Sequence, residues 1–366
     1  METGGVETNL VGLARELRGL GHDVIVVSSG GDLVGEVERA GARHVQMRLR
    51  LHDPMGLARS ALALRLFISR ERIDVAHSMS AAGSLALALS ARGRGCHFVV
   101  SPMGLQNSDR EPAVVTELRN RLIAFGAERV LVISDEIERA FRAVGVPPSR
   151  MDRTDVVGVD TGSFAVTTDA RERVRNELGL ESKRVVTTIG ALHPRKSHDL
   201  FLGACRIVAD ADAEARFVIV GDGPERERLA ARAHGLGLAD HVRFAGRRRD
   251  VPALLAASDI YVKPGIVEGF IGITVLEAMA AGVPVVAFDT HDVRAAITPE
   301  ETGLIVPARD TAALGKAILR LFSDARLRTH LAARGRELVR ERFDLRAVAI
   351  GLVRRYSTMA SKPCAG

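Results

Sequence analysis

At 366 residues, with 46% hydrophobic and 26% charged side chains, the chain has a globular composition and is too long for one ordinary hydrophobic core; two domains are expected. No apolar run approaches the roughly 18 residues of a membrane-spanning helix, no signal-peptide pattern opens the sequence, and Cys96, Cys205 and Cys364 are too scattered for a disulfide framework or structural zinc, so the expected compartment is the cytosol. The net charge of +6 rests on arginine, only five of the 51 basic residues being lysine, and with two tyrosines and no tryptophan there is little for a nucleic acid to stack on. No nucleic-acid partner is expected.

In chain order, Gly4-Gly5-Val6-Glu7 leads into a helix pattern of Leu10, Leu13, Leu17 and Leu20 that Gly21 closes. Strand-like runs follow at residues 22–29, 73–78, 97–101 and 129–134, separated by helix-length segments. Such alternation predicts a doubly wound α/β domain built on a parallel sheet. Around Arg65, Leu66, Phe67, Ile68 and Arg70, with Arg48 and Arg50 upstream, the pattern allows either a basic amphipathic face for peripheral membrane contact or a core-facing helix with ordinary surface arginines. His77 ends one of these strands, where catalytic residues of α/β proteins gather; a satisfied structural histidine is the other reading.

The alternation restarts after a linker placed at 157–163, with strands at 185–189, 217–220, 242–244, 260–262, 285–288 and 304–306. The expected domains are thus 1–162 and 163–344, followed by a C-terminal helix and tail, 345–366, that packs back on the first domain. In doubly wound folds ligands bind at the carboxyl ends of the strands, and with two such domains the cleft between them is the natural site.

Within the second half, His193-Pro194-Arg195-Lys196-Ser197-His198 places cationic side chains at a helix start, where they oppose the helix dipole unless an anion sits among them. Lys196 suits a phosphate; a solvated turn is the alternative. Gly221-Asp222-Gly223-Pro224 departs from GxGxxG at Arg226 and reads as a tight turn with proline at the first helical position. Asp210-Ala211-Asp212 looks like a DxD metal motif but falls between helix and strand, opposite the expected cleft, and reads as a solvated loop.

Residues 263–284, KPGIVEGFIGITVLEAMAAGVP, carry the strongest signal. A strand enters a loop with Gly269 and Gly272, and the loop opens a helix that ends at Gly282. Unpaired N–H groups at that helix start make an anion cradle, and the glycines admit a ligand close to the backbone. Glu277 is the only charged residue in the helix pattern, and a carboxylate among apolar neighbours needs a hydrogen-bonding partner. Sugar hydroxyls would serve, as would a loop N–H or a buried arginine.

Taken together, GGVE, GHDVIVVSS, GDGPERERL, VRFAG, VEGFIGITVLEAMAAGVPVVA and TGLIVP resemble glycosyltransferase family 4 over nearly the whole chain. The resemblance implies the GT-B architecture, two doubly wound Rossmann-like domains facing across a cleft, and retaining transfer of a sugar from a nucleotide-diphosphate donor without a metal ion or a separate cofactor. By the same resemblance Glu277 holds the ribose hydroxyls, Lys196 the diphosphate, Glu268 with Gly269, Phe270, Ile271 and Gly272 the donor sugar and phosphate, and Gly5 approaches the donor from the first domain. Glu268, Lys196 and His77 are the catalytic candidates. The acceptor is left open: a glycan, a lipid-linked sugar or a small metabolite.

Four positions depart from the family pattern. Glu268 and Glu277 lie one residue further apart than usual, which a bulge around Ile271 would absorb. Ala191 stands where the family has arginine, leaving His193 or Arg195 to supply the charge, and Met103 occupies a histidine position. Only three residues precede the first GGVE glycine, so the first sheet is expected without its usual first strand. These departures keep two alternatives in view: a GT-B nucleotide-sugar epimerase and an inactive nucleotide-sugar-binding protein.

Overall fold

The computed structural model describes residues 5–49, 53–90, 95–103, 113–165, 167–266 and 272–360, which form two compact units. The first unit comprises the chain up to Gly158 together with the segment from Leu345, and the second runs from Val159 to Asp344.

The first unit alternates helix and strand: α1 (Gly5–Gly19), β1 (Ile25–Ser28), α2 (Val34–Arg39), β2 (Arg43–Gln46), α3 (Pro54–Glu71), β3 (Val75–Ser78), α4 (Ala81–Ser90), β4 (His97–Val100), α5 (Ala113–Gly126), β5 (Arg129–Val132), α6 (Asp135–Ala143) and β6 (Met151–Arg153). Among the described residues its strands form two separate parallel sheets, β1-β2 and β3-β4-β5-β6. Phe98, Val100, Ile123, Val130 and Phe141 make the core beneath the larger one. The strands expected from apolar runs are β1, β3, β4 and β5. The other two, β2 and β6, carry Arg-His-Val-Gln and Met-Asp-Arg at sheet edges, too polar to stand out from a loop.

The second unit contains α7 (Thr168–Leu178), β7 (Arg184–Ile189), α8 (His198–Ala211), β8 (Ala215–Val220), α9 (Arg226–Gly235), β9 (Val242–Gly246), α10 (Val251–Ala257), β10 (Ile260–Lys263), α11 (Ile273–Ala280), β11 (Val285–Phe288), β12 (Leu304–Val306), α12 (Thr311–Ser323) and α13 (Ala325–Arg342). Its strands form one parallel six-stranded sheet in the order β12-β11-β10-β7-β8-β9. The central strands coincide with apolar runs in the sequence, as buried parallel strands require, while the edge strand β9, Val-Arg-Phe-Ala-Gly, is mostly half-buried. Phe201, Phe217, Phe288 and Val262 fill the core on one side of this sheet, each fully buried and each worth about 1.5–3 kcal/mol of transfer free energy. Strand order reverses between β7 and β10, and in doubly wound sheets that reversal opens a crevice beyond the strand ends.

The last helix, α14 (Leu345–Ala360), returns to the first unit and packs along α1. Gly12 makes the approach possible, since a Cβ there would run into the Leu345 side chain. Asn9, buried on the same helix, donates to Val156 O at 3.1 Å and accepts from Gly158 N at 2.9 Å, tying α1 to the segment where the chain leaves the unit.

One local reading is corrected. Asp212 is not in a solvated loop: it caps α8, is buried, and forms an ion pair with Arg184 at 2.7 Å, while Asp210 pairs with Arg206 one turn back. In α3, Leu64 and Ile68 face the core and Phe67 lies beneath the Arg43 guanidinium, but Leu62 and Leu66 point outward, so the helix is apolar on more than its core side.

Candidate active site

Two loops of the second unit flank the β7/β10 reversal. The first leaves β7 at Gly190, passes through the 3-10 turn Pro194–Lys196 and enters α8. It is pinned from beneath by the β8–α9 loop: Gly190 N donates to Val220 O at 2.9 Å, Leu192 N to Asp222 O at 3.0 Å and Glu225 N to Leu192 O at 3.0 Å. Gly221, at φ 136°, lies so close that a Cβ there would overlap the Gly190 carbonyl oxygen, and one at Gly223 would overlap that of Leu192. The glycines of Gly221-Asp222-Gly223-Pro224 thus serve a backbone crossing. Proline is not at the first helical position, since α9 begins at Arg226 with Glu225 as its cap.

On this platform Lys196 is half-buried, its stem running past Gly190, while His193 and Arg195 are exposed. The His193 ring accepts from Arg195 N at 3.5 Å and caps the turn. Ser197, buried in the left-handed region at φ 52°, turns the chain into α8. A non-glycine residue held there costs on the order of 1–3 kcal/mol, which the surrounding packing must sustain.

The residue sequence reasoning passed over here is His198. It is buried, its Nε2 lies 3.3 Å from Ala191 O, and its Nδ1 has no partner among the described residues. Burial pulls its pKa down to about 4, so it is neutral and stiffens the loop without adding charge. The place where the family carries arginine is occupied by Ala191, whose carbonyl faces this histidine.

The second loop leaves β10 at Lys263. This lysine is buried, pairs with the equally buried Asp292 at 2.9 Å and donates to Gly265 O at 3.0 Å. The signal was a lone lysine ending an apolar strand in a chain with few lysines, but its partner lies beyond the next strand and sequence reading missed the pair. Glu268, Gly269, Phe270 and Ile271 lie outside the described residues, as does the bulge expected at Ile271. Gly272 caps α11 without a side-chain hydrogen bond, its carbonyl accepts from Val275 N at 2.9 Å, and a Cβ there would lie 3.7 Å from Lys263 Cε. Tyr261, buried, donates to Thr274 Oγ1 at 2.7 Å and joins β10 to the first turn of α11. The helix ends at Gly282, φ 71°, where Gly282 N and Val283 N bond back to Met279 O and Ala278 O, both at 2.9 Å.

Glu277 projects from the middle of this short helix between buried Leu276 and Ala278. Burial raises its pKa to about 7, and among the described residues nothing bonds or pairs with its carboxylate. Neither a loop N–H nor a buried arginine, the partners left open by the sequence, meets it among the described residues. Among the described residues no cluster of His, Cys, Asp or Glu could hold a metal ion.

The remaining sequence candidates belong to the first unit. Gly5 is the first residue of α1. Met103 is buried just beyond β4. Both ring nitrogens of His77 are engaged, Nδ1 with Tyr356 OH and Nε2 with Ser101 Oγ, each at 2.6 Å. Burial holds the imidazole near pKa 4 and pushes the Tyr356 phenol up, so this junction of β3, β4 and α14 is neutral.

Two family profiles match the chain, "Glycosyl transferase 4-like domain" over residues 4–155 and "Glycosyl transferases group 1" over residues 170–338. A GDP-mannose-dependent alpha-(1-6)-phosphatidylinositol monomannoside mannosyltransferase of Mycolicibacterium smegmatis is 28% identical over 344 residues, 91% of this chain and 89% of that one. Among solved structures, a glycosyltransferase from Rickettsia africae superposes with a TM-score of 0.85 at 20% identity, covering 98% of this chain and 96% of that one. Anabaena HepE in complex with UDP-glucose superposes at 0.84 and 18% identity, covering 97% and 96%.

Proposed function

We propose, from the premise that this chain belongs to glycosyltransferase family 4, has the GT-B fold and is a nucleotide-sugar-dependent glycosyltransferase, that it moves a hexosyl group with retention and without a metal ion onto a lipid-carried acceptor. The observation that supports the donor reading most is Glu277, a carboxylate kept among apolar neighbours with no partner among the described residues, on the helix that opens at Gly272. A half-buried carboxylate among apolar side chains with no donor among the described residues is a poor structural device, and a ribose offers two hydroxyl donors.

In this reading the ribose hydroxyls donate to Glu277, the diphosphate lies across the β7/β10 crevice against Lys196 and the first turn of α11, and Arg195, rather than His193, whose ring accepts from the turn backbone, supplies the charge that Ala191 lacks. Glu268, with Gly269, Phe270 and Ile271, keeps the role toward the donor sugar that the family resemblance gives it, and Gly5 its approach to the donor. As the bond from the anomeric carbon to phosphate breaks, negative charge grows on the leaving diphosphate. Fixed cations and helix N–H groups stabilise that charge more than they stabilise the bound donor. The acceptor oxygen attacks from the face the diphosphate leaves, and its proton passes to a phosphate oxygen, so no protein nucleophile is required. His77 enters as a positioning residue rather than a proton carrier, because both nitrogens are engaged and the ring is neutral.

The lipid-carried acceptor is suggested by the mycobacterial relative, whose name specifies a phosphatidylinositol mannoside. No helix among the described residues is long and apolar enough to cross a membrane, so contact with lipid would be peripheral. The test is turnover of GDP-mannose and UDP-glucose with lipid-linked acceptors in the presence of EDTA, with the anomeric configuration of the product read by NMR. Retention in EDTA, with Lys196→Ala at least about a hundredfold slower, is the expected result. Inversion, or activity that returns only with added metal, would overturn it.

A further inference from the structure

Among the described residues the large apolar side chains left in water gather in one region of the first unit. Among the described residues every exposed large hydrophobic lies on α3, α4 or α5, which pack in that order in the first unit; Leu62 is 58% exposed, Leu66 63%, Leu118 58% and Phe125 65%. The positions are periodic. Leu62 and Leu66 are one turn apart on α3, and Leu118, Leu122 and Phe125 run along α5, with Leu89 of α4 also exposed. Both outer helices already bury a different apolar stripe, Leu64 and Ile68 on α3 and Ile123 and Ala124 on α5. Core packing therefore does not account for the outward one, and a soluble monomer rarely leaves so extended an apolar surface uncovered.

The charge on this face narrows the occupant. Arg59 and Arg70 are exposed in line with Leu62 and Leu66, and Arg65 is half-buried beside them; Arg59 and Arg65 have no carboxylate partner among the described residues. The nearby acids are already used: Glu71 pairs with Arg43 and lies 4.0 Å from the exposed Arg70, and Glu117 pairs with Arg121. A second copy meeting this face across a two-fold axis would bring arginine toward arginine with no free acid between them. Headgroup phosphates would satisfy them while acyl chains cover the leucines.

We propose that the α3-α4-α5 face seats the protein on an anionic lipid surface, with Leu62, Leu66, Leu118 and Phe125 entering the acyl boundary and Arg59, Arg65 and Arg70 meeting phosphates. It extends the reading in which a lipid carries the acceptor and identifies the surface that brings the enzyme to it.

The experiment is flotation of the full chain with phosphatidylcholine vesicles, with and without phosphatidylglycerol. Binding is expected only with the anionic lipid and falls as salt rises. Arg59→Gln and Arg65→Gln should each weaken partitioning about fivefold. Leu66→Ser combined with Phe125→Ser should abolish it, while melting and the nucleotide-induced melting shift stay as in the wild type, since both side chains lie outside the buried core. No binding to anionic vesicles, or unchanged binding by these variants, overturns the proposal. So does a dimer in light scattering that the leucine–phenylalanine pair dissolves, because the occupant would then be a second copy. Loss of the nucleotide-induced shift in the wild type would instead undermine the donor reading, and flotation does not depend on it.

Discussion

Replacing Glu277 with glutamine tests the donor site through pH. The carboxylate has an ordinary pKa of 4.5 and is raised to about 7 in the folded chain by burial, so the folded state holds a proton that the unfolded chain has already lost. The stability this proton lends is fully present below about pH 4.5 and is lost as pH rises through 7; above that the ionised group is a constant cost. A shift of this size corresponds to no more than about 3 kcal/mol, and because the residue keeps some solvent contact about 1–2 kcal/mol is the working figure. Glu277→Gln escapes that cost. Its melting temperature should match the wild type near pH 5 and exceed it near pH 8, by about 2–4 °C for each kcal/mol in a unit of this size.

Nucleotide binding should move the opposite way. Ribose hydroxyls donate to the ionised carboxylate, so the competent fraction of the free protein is about one in ten at pH 6 and about nine in ten at pH 8, and affinity for UDP or GDP should rise about tenfold across that interval. Calorimetry on the glutamine variant should show weaker binding that is flat over the same range. Equal affinity of the two proteins at pH 8, or a wild-type affinity independent of pH, would refute the assignment of Glu277 to the ribose. A glutamine variant no more stable than the wild type at pH 8 would refute the burial argument itself.

Other perturbations separate the platform from the cradle. Gly221→Ala should cost at least about 2 kcal/mol and weaken nucleotide binding, because its Cβ would displace the Gly190–Leu192 backbone beneath Lys196; denaturation and calorimetry read both effects. Lys263→Met or Asp292→Leu alone should destabilise the second unit by about 3–5 kcal/mol by leaving an unpaired buried charge, whereas the double replacement should recover most of that loss in the same melts. His77→Ala breaks two hydrogen bonds and should lower the stability of the first unit by about 2–3 kcal/mol while nucleotide affinity stays unchanged. A selective loss of turnover without loss of stability in that variant would return His77 to a catalytic role.

Much of the second unit was legible from the chain because its chemistry is local. A buried parallel strand must be an almost unbroken apolar run, so the central strands of the six-stranded sheet appeared, and a carboxylate in an otherwise apolar helix made Glu277 a candidate without knowledge of its surroundings. The alternation of strand and helix also determined the fold class, since parallel neighbours need crossovers. Edge strands such as β2 and β6 escaped because a half-exposed ladder imposes little hydrophobic pattern on its residues.

Tertiary structure decided the pairings between distant residues. It showed that the glycines at 221 and 223 serve a backbone crossing, that Lys263 is held by Asp292, that His198 is buried against Ala191, and that His77 joins Ser101 to Tyr356. It also distinguished the inward stripe of α3 from the outward one, which periodicity alone leaves ambiguous when both are apolar. The physical reason is common to these cases: periodicity and propensity act between near neighbours in sequence, whereas burial, desolvation and charge pairing depend on which segments the fold brings together.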